Sequence, residues 1–382
     1  MQGSRVAIAG IGETPYVRAS ERSTMDLIVD AAHAAIADAG LKAADIDGLI
    51  SCGGTPSMDE IAYCLGIEDR PFTAGNDMVA GAATVGGALM LAQMAIEAGL
   101  SKHVMIPFGF KCSDPGGPYS FHERDPLKAD IEMPVGYFGQ PIYFAAMTQR
   151  YRYEHGLTED DLAAVAMSCR AWAEMTPGAQ RREPMSLADY QKSPMIATPL
   201  RAADCCLMTD GACAYIVTSI ERARDLPQPA AILAGIGIGT NPLPMSMVLS
   251  QNPEILDMPA RESAAKAYAM AGITCDDVDV AQLYDCFSIS TIVQAEMLGF
   301  CPKGEGAKLF ADGHTAPGGR LPMNTSGGHM SGGYLPGANL VVEAVRQVRH
   351  SRGKAQVPGA QVAVVTGLGA NAHATTVLTR EI

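Results

Sequence analysis

The chain has 382 residues, of which 48% are hydrophobic and 18% charged, a balance typical of globular proteins and not of disordered ones. A formal net charge of -13 at pH 7 argues against nucleic acid and anionic membrane as main partners. No apolar run approaches the roughly 18 residues that would predict a membrane span. The N-terminus reads as a first strand beginning at Val6 and not as a signal peptide, so we expect a cytoplasmic protein.

The first part of the chain predicts alternating strands and helices. Residues 8–12 form a short apolar strand that runs into glycines, and residues 31–50 begin as an Ala-rich amphipathic helix. A strand at 46–51 follows this helix, and a Gly/Ala-rich helix start at 81–97 precedes another strand at 104–108. This alternation predicts an α/β protein.

The middle of the chain, about 110–199, is richer in proline, tyrosine and charge. It contains one clear predicted helix at 158–175, with Thr158 as its N-cap and Asp161 at the capping-box spacing. An insertion of this length usually covers an active site, so we interpret it as a loop domain.

The last part of the chain repeats the first. A strand into glycines recurs at 233–242, the helix and strand at 263–282, and the Gly-rich helix start at 333–349, before a strand at 361–365. The following positions match between the copies: Gly40 with Gly272, Asp45 with Asp277, and Asp47 with Asp279. Two duplicated βαβα-type halves predict two parallel-biased sheets with helices on their faces.

Ten cysteines are present without the paired spacing of a zinc site, and no other cluster of metal-ligand residues is visible, so we expect no metal. The lone glycine pair Gly10 and Gly12 lacks the third glycine and the later acidic residue of a dinucleotide site. We therefore expect no nicotinamide cofactor.

Five motifs resemble the thiolase superfamily, in the branch of the sterol carrier protein X thiolase domain and its bacterial lipid-transfer relatives. They are 199–206 with 209–214, Tyr284-Asp285-Cys286-Phe287-Ser288, Asn324-Thr325-Ser326-Gly327-Gly328, 333–338 and 366–370. The resemblance implies a five-layer αβαβα thiolase fold. Its N-terminal half would span residues 1–230, including the loop domain, and its C-terminal half 231–382.

The departures from this pattern point to another chemistry. Ala82 stands where the family has its nucleophilic cysteine, so an acyl-enzyme cannot form there. Tyr334 and Tyr284 replace two catalytic histidines, and the second cysteine before the last glycine loop is missing. These changes resemble the aldolase subgroup, whose members cleave β-hydroxyacyl-CoA steroids together with a small zinc-ribbon/OB-fold protein.

The subgroup implies a retro-aldol carbon–carbon lyase, a homodimer that recruits this partner, and no cofactor beyond the CoA of the substrate. Retro-aldol cleavage requires a base for the β-hydroxyl, donors for the thioester enolate and an acid to protonate it. We assign Tyr334 to proton abstraction or transfer, because the start of the following helix favours its phenolate. Tyr284 takes the complementary proton transfer or stabilises the enolate, and the two assignments are exchangeable.

Other polar residues receive lesser roles. His329 is expected either to orient a phenol or to meet the CoA, with an ordinary loop histidine as the alternative; His314 and His373 are weaker candidates of the same kind. Asp285 and Ser288 are expected to anchor their own turn. By analogy with the family, the backbone N–H groups around Gly328 and Gly369 are oxyanion-hole candidates.

Two other functions stay open from the sequence. One is an acyltransferase or thiolase that uses another cysteine, with Cys112 and Cys286 as candidates. The other is a non-catalytic carrier of lipid-CoA or a scaffold subunit.

Overall fold

The computed structural model describes residues 6–52, 56–75, 81–114, 125–243 and 245–380. Its strands are β1 (Val6–Glu13), β2 (Gly48–Ile50), β3 (Phe72–Ala74), β4 (His103–Lys111), β5 (Met195–Ala197), β6 (Leu200–Arg201), β7 (Asp210–Ser219), β8 (Ala231–Thr240), β9 (Val280–Gln282), β10 (Val362–Leu368) and β11 (Ala372–Arg380). Its helices are α1 (Thr24–Ala39), α2 (Met58–Leu65), α3 (Thr84–Glu97), α4 (Gln140–His155), α5 (Glu159–Glu174), α6 (Leu187–Lys192), α7 (Ile220–Ala223), α8 (Met245–Val248), α9 (Ala260–Ala271), α10 (Ser288–Met297), α11 (Gly306–Ala311) and α12 (Ala338–Val348).

Nine strands form one continuous sheet in the order β3-β2-β4-β7-β1-β8-β11-β10-β9. The expectation of two parallel-biased sheets is wrong. The first strands of the two halves, β1 and β8, pair antiparallel, and β7 and β11 each run antiparallel to both neighbours. Parallel pairing is limited, among the described strands, to β2 with β3, β2 with β4, and β9 with β10.

The layers nevertheless follow the duplicated pattern. Helix α1 packs on β1, β4 and β7, whereas α9 packs on β8 and β11. Helices α3 and α12 contact strands of both halves, so they form the central layer between them. In the described part of the chain, the strands of the two halves are joined only through the two residue pairs between β1 and β8 and otherwise form two layers. The succession is therefore helix, strands, two buried helices, strands and helix, which is the predicted five-layer fold. The predicted boundary at residues 230 and 231 falls at the start of β8 and stays a prediction.

Two matched aspartates make the same contacts in the two halves. Asp47 accepts hydrogen bonds of 2.9 Å from the N–H groups of Lys102 and His103, where β4 begins. Asp279 accepts bonds of 2.8 and 2.9 Å from two successive N–H groups, at Gln361 and Val362, where β10 begins. In each half a carboxylate thus fixes the entry of a neighbouring strand.

Glycines in β1 and β8 permit close helix packing. A Cβ atom at Gly12 would overlap the carbonyl oxygen of Ala31 in α1, and one at Gly237 would overlap that of Ser263 in α9. The glycines of β1 and β8 therefore allow a helix backbone to pack directly against the strand. This close packing explains the glycines, and no bound nucleotide is needed to account for them.

The predicted helix ends are confirmed where the sequence signalled them. Helices α1 and α9 end at Gly40 and Gly272, both left-handed with φ of 68° and 71°. Helix α5 begins after Thr158, whose hydroxyl accepts from the Asp161 N–H at 3.2 Å while its own N–H donates to the Asp161 carboxylate at 2.8 Å. Residues 115–124 of the predicted loop domain lie outside the described residues. In the described part of the chain, no helix is long and apolar enough to cross a membrane.

Candidate functional site

Tyr284 follows the end of β9, and its backbone is held on both sides. Its N–H donates to the Thr366 hydroxyl at 2.8 Å, and its carbonyl accepts from the Gln294 side-chain amide at 2.8 Å. The side chain is only 6% exposed. The site is thus built at the carboxyl end of a strand, where α/β sheets place functional groups.

Tyr334 lies in the glycine-rich turn before α12. Its N–H donates to the Thr209 hydroxyl at 2.9 Å, and its half-buried ring packs edge-on against Phe110 with centroids 5.9 Å apart. A Cβ atom on the preceding Gly333 would lie 2.7 Å from the Cβ of Tyr16, so glycine at this position allows the turn to approach the Tyr16 side chain. These contacts fix the direction in which the phenol points.

Tyr284 and Tyr334, which the sequence pattern predicts to replace two histidines of the family, lie in direct contact. Their hydroxyl oxygens are 2.9 Å apart and their ring centroids 6.4 Å apart, so one phenol donates a hydrogen bond to the other. The structure therefore brings Tyr284 and Tyr334 together. Their individual roles stay predictions.

Burial raises the pKa of both phenols well above the ordinary value of about 10. For Tyr284, the pKa is raised further by the neighbouring charge of an ionised Tyr334. For Tyr334, the hydrogen bond from Tyr284 lowers the pKa, but less than burial raises it. The expectation that the helix start favours the Tyr334 phenolate is therefore reversed, and the resting site holds two neutral phenols.

His329 packs against both phenols from a single π-helical turn, Gly328–Gly332. Its ring centroid lies 4.9 Å from that of Tyr284 and 5.2 Å from that of Tyr334, edge-on in both cases. Its Nε2 is 3.1 Å from Oδ1 of Asn339, whose Nδ2 donates to the Gly333 carbonyl at 2.8 Å. Two roles were expected for His329, to orient a phenol or to meet the CoA. Its contacts with both phenol rings match the first of these roles.

Asp285 joins two loops and does not anchor its own turn, which corrects the expectation. Its carboxylate accepts from the N–H groups of His329 at 2.9 Å and Met330 at 3.3 Å, and Oδ1 lies 3.1 Å from Nδ1 of His329. Ser288 likewise reaches away from its turn, donating to Asp204 at 2.7 Å. Both side chains are fully buried, so these contacts tie the Tyr284 loop to its neighbours.

The two glycines predicted as oxyanion-hole donors, Gly328 and Gly369, differ in their contacts. Gly328 has φ of 57°, and a Cβ atom there would overlap the Asp285 carboxylate. Its proposed oxyanion role stays a prediction. The N–H of Gly369 already donates to the Ala372 carbonyl at 2.8 Å and closes the hairpin between β10 and β11. The N–H of Gly369 itself is thus engaged within the fold, and an oxyanion role for the neighbouring N–H groups stays a prediction.

Ala82 is buried just before α3. A Cβ atom on Gly337 would lie 3.3 Å from the Ala82 methyl group, and one on Gly367 would overlap the Ala82 carbonyl oxygen. Ala82, the predicted position of the family's nucleophile, thus adjoins both the start of α12 and the last glycine loop and presents only a methyl group. The alternative nucleophiles are also poorly suited, because burial raises the pKa of Cys112 to about 11 and that of Cys286 to about 12.

Sequence reasoning missed a group of buried polar side chains that hydrogen-bond to the backbone of Tyr284 and to one another. Gln294 accepts from the Thr366 hydroxyl at 2.7 Å and contacts Nε2 of His373 at 3.2 Å. Burial lowers the pKa of His373 to about 3, so this histidine is neutral and packs under the site. His314 is a half-buried loop residue whose carbonyl accepts from Leu321 at 3.0 Å. Separations of 72 and 79 residues left no sequence signal for the contacts of Gln294 with Thr366 and His373.

Known proteins share this architecture. Residues 245–380 match the family model described as Thiolase C-terminal domain-like. The steroid side-chain-cleaving aldolase of Thermomonospora curvata is 36% identical over 354 residues, which cover 90% of each chain. The chain belongs to the steroid side-chain aldolase subgroup of the thiolase superfamily. The 17-hydroxy-3-oxo-4-pregnene-20-carboxyl-CoA lyase of Mycobacterium tuberculosis is 35% identical over 359 residues, covering 91% of this chain and 92% of the lyase.

Solved structures agree with this membership of the aldolase subgroup. The Ltp2-ChsH2(DUF35) aldolase superposes with a TM-score of 0.91 at 34% identity, covering 99% of this chain and 98% of the other. An acetyl-CoA acetyltransferase from Syntrophomonas wolfei superposes with a TM-score of 0.69 over the full length of both chains, and at 18% identity it shows the fold alone. The predicted family and fold are confirmed.

Proposed function

We propose that this aldolase-subgroup protein is a carbon–carbon lyase that cleaves a steroid side-chain β-hydroxyacyl-CoA by a retro-aldol reaction. The products are a ketone and a short acyl-CoA. Relatives with about a third of identical residues over nine tenths of the chain are named for steroid side-chain cleavage and for lysis of a steroid carboxyl-CoA. The observation that carries the proposal is the pair of phenol oxygens 2.9 Å apart. The sequence pattern predicts that a thiolase has imidazole at these two positions.

The neutral phenol pair is suited to relay one proton. The three proton transfers take place in one step as the bond between the α and β carbons breaks: Tyr284 gives its proton to the α carbon, Tyr334 passes its own proton to Tyr284, and Tyr334 takes the proton of the β-hydroxyl. The electron pair of the broken bond forms the new bond between the α carbon and the proton from Tyr284, and the β carbon becomes the ketone. Each phenol gives one proton and receives one, so both end neutral and the acyl-CoA is complete. We assign Tyr334 to the hydroxyl because it is the more exposed of the two.

A covalent thioester exchange is disfavoured by the same residues. Ala82 has no nucleophilic atom, and the raised pKa values of Cys112 and Cys286 leave little thiolate at neutral pH. The retro-aldol route needs no covalent enzyme intermediate. CoA enters as part of the substrate, and the proposal includes no separate cofactor.

Assembly forms a second part of the proposal. The similar Ltp2-ChsH2(DUF35) aldolase is named as two proteins, and we propose a small zinc-ribbon/OB-fold partner for this chain as well. We also propose a homodimer; its support is the edge strand β3, which pairs on one side only, with β2, among the described strands. All ten cysteines are described and are free thiols, which fits a cytoplasmic location.

The test is to co-express the chain with a zinc-ribbon/OB-fold protein and incubate the purified complex with a steroid β-hydroxyacyl-CoA. Equal amounts of ketone and short acyl-CoA are expected without added metal or nicotinamide. A complex that binds acyl-CoA but forms no ketone would instead support the carrier hypothesis. Activity that disappears when one thiol is alkylated, and that substrate protects, would support the acyltransferase hypothesis.

A further inference from the structure

We infer that Thr209 and Gln180 are positioning residues for Tyr334, and that through them the loop domain sets where this phenol lies. The first step concerns the peptide unit between Gly333 and Tyr334. Its N–H donates to the Thr209 hydroxyl at 2.9 Å, and its carbonyl accepts from Nδ2 of Asn339 at 2.8 Å. Side chains therefore hold both polar atoms of this peptide, and the direction of the Tyr334 side chain depends on them.

The second step concerns the direction of the hydrogen bonds at Thr209, whose side chain is fully buried. The Met208 carbonyl can only accept, so the Gln180 atom that lies 3.0 Å from it is the amide nitrogen Nε2. The amide oxygen Oε1 therefore faces the Thr209 hydroxyl at 2.7 Å and accepts its proton. Because that proton is engaged, a lone pair of the hydroxyl accepts the Tyr334 N–H. Gln180 thus fixes the orientation of the hydroxyl that holds Tyr334.

The third step concerns the backbone of the same loop-domain segment. The N–H of Gln180 donates to the Gly332 carbonyl at 2.8 Å, and the N–H of Arg181 donates to the Ser331 carbonyl at 2.9 Å. The two acceptors lie in the turn that leads directly into Tyr334. Two backbone bonds thus add to the side-chain bonds, so a displacement of the segment would displace the turn.

A matching arrangement holds Tyr284. Its N–H donates to the Thr366 hydroxyl at 2.8 Å, and that hydroxyl donates to Oε1 of Gln294 at 2.7 Å. Gln294 is fully buried, whereas Gln180 is half-buried and belongs to the loop domain. A threonine–glutamine pair therefore holds each tyrosine, and the pair at Tyr334 is the one that links the site to the loop domain.

The distance between the two phenol oxygens is the quantity that this positioning sets. At 2.9 Å it is that of a hydrogen bond, and a shift of Tyr334 by about 1 Å would break the contact. The consequence for the reaction rests on the proposed lyase function, because it is measured as kcat. The consequence for the distance does not rest on that function, so the two are measured separately.

The first measurement is the crystal structure of the full chain without substrate, as wild type, T209V and T209S. Valine has nearly the shape of threonine but can neither accept the Tyr334 N–H nor donate to Gln180. We expect the phenol oxygens to move beyond about 3.5 Å in T209V and to stay in hydrogen-bond contact in T209S, which restores the hydroxyl. An unchanged distance in T209V would overturn the inference.

The second measurement is the split between kcat and KM in the complete complex. T209V should lower kcat by about 10- to 100-fold with KM within about threefold of the wild type, and T209S should restore kcat. T218V is the matched control, because Thr218 is equally buried and donates to the Lys102 carbonyl at 2.7 Å, at the other end of β7. T218V should lower stability as T209V does but keep kcat. An equal loss of kcat in both would show general destabilisation and overturn the positioning role.

Gln180 provides a second test that holds even if T209V does not fold. Q180M removes both polar atoms of a half-buried side chain and should lengthen the phenol–phenol distance and lower kcat by about 10-fold. Q356M is its control, because Gln356 is also half-buried and bonded at both ends, with Nε2 donating to the Gln347 carbonyl at 3.0 Å and Oε1 accepting the Arg352 N–H at 3.1 Å. No change in distance and kcat in Q180M would overturn the inference.

The double variant tests whether Gln180 acts through Thr209. T209V/Q180M should then be no slower than T209V alone, because the second change removes nothing further from Tyr334. Additive losses of kcat would overturn this order of action. A wild-type complex that forms no ketone would overturn only the proposed function, and the distances in the crystal structures would still decide the inference.

Discussion

The hydroxyl oxygens of Tyr284 and Tyr334 lie 2.9 Å apart, although the residues are separated by 50 positions. One follows a strand of the sheet and the other precedes the central helix α12. Their backbones are fixed independently, by Thr366 and Gln294 for Tyr284 and by Thr209 for Tyr334. The phenol–phenol contact is therefore imposed by the fold, and a relay can act through it without rearrangement.

Removing either hydroxyl should stop the reaction. We expect Y334F and Y284F each to lower kcat by about 100-fold or more, the usual range for loss of a proton-transfer group. Far-ultraviolet circular dichroism should stay unchanged, because the rings keep their packing. Y153F, at a residue 88% exposed, is the matched control and should retain wild-type turnover. Undiminished turnover in both site variants would contradict the relay.

The pH dependence follows from the raised pKa of both phenols. Folding keeps them neutral, whereas the unfolded chain ionises its phenols near pH 10. The contribution of the buried phenols to stability is thus complete below about pH 10 and is lost as the pH rises through their folded values. We expect the free energy of unfolding to fall above pH 10 less steeply in the double variant Y284F/Y334F than in the wild type. Equal slopes would show that these phenols are not the groups that burial keeps neutral.

The same pKa values predict the rate profile. Because the relay uses neutral phenols, kcat should show no rise between pH 7 and the onset of phenol ionisation. A rate that increases tenfold per pH unit in this range would indicate that a phenolate is the active form. The measurement is kcat of the complete complex at saturating substrate, so that binding does not enter.

Alkylation distinguishes lyase from thiolase chemistry. Burial raises the pKa of Cys112 to about 11 and of Cys286 to about 12, so both should react slowly with iodoacetamide. Exposed Cys64 provides the internal control and should be labelled first. We expect C112A and C286A to keep turnover within a few-fold of the wild type. Abolished turnover in either variant, with its fold intact, would revive the covalent route.

Local signals in the sequence were sufficient for helices α1, α3, α5, α9 and α12, for the glycine ends of α1 and α9 and for the duplication, because capping and periodicity depend on neighbouring residues. The other described helices were not predicted. The family pattern placed Tyr284 and Tyr334 at one site. Pairing of β1 with β8, which joins the two halves into one sheet, depends on contacts more than 220 residues apart and was not predicted. Nor was the reach of Asp285 to the His329 loop, since a turn aspartate usually bonds its own turn.

Gly328 should tolerate no side chain. Its φ of 57° disfavours any L-residue, and a Cβ atom would overlap the Asp285 carboxylate. We expect G328A to lose about 2–4 kcal/mol in the free energy of unfolding by urea. G66A is the matched control, because Gly66 has φ of 69° but nothing within 4 Å of the added methyl, so it should lose only about 1 kcal/mol. Equal losses would show that the contact with Asp285 contributes nothing.

Glutamate should not be able to replace Gln294, because the amide nitrogen and the amide oxygen of Gln294 bond to different partners. Its Nε2 donates to the carbonyls of Tyr284 and Ser290 at 2.8 Å each, and its Oε1 accepts from Thr366. A carboxylate would set an oxygen against both carbonyls, a cost of about 1–3 kcal/mol for unpaired buried groups. Q294E should therefore lower both stability and the kcat of the folded fraction, since the Tyr284 backbone shifts.

The control for this change is Q347E. Gln347 is equally buried, and its Nε2 donates to Glu343 at 3.0 Å and to the Ala355 carbonyl at 2.8 Å, away from the phenols. Q347E should lose comparable stability while the folded fraction keeps its kcat. If both variants lost kcat equally, the effect of Q294E would be general destabilisation. If Q294E alone loses kcat, the amide behind Tyr284 sets the position of the phenol that completes the relay.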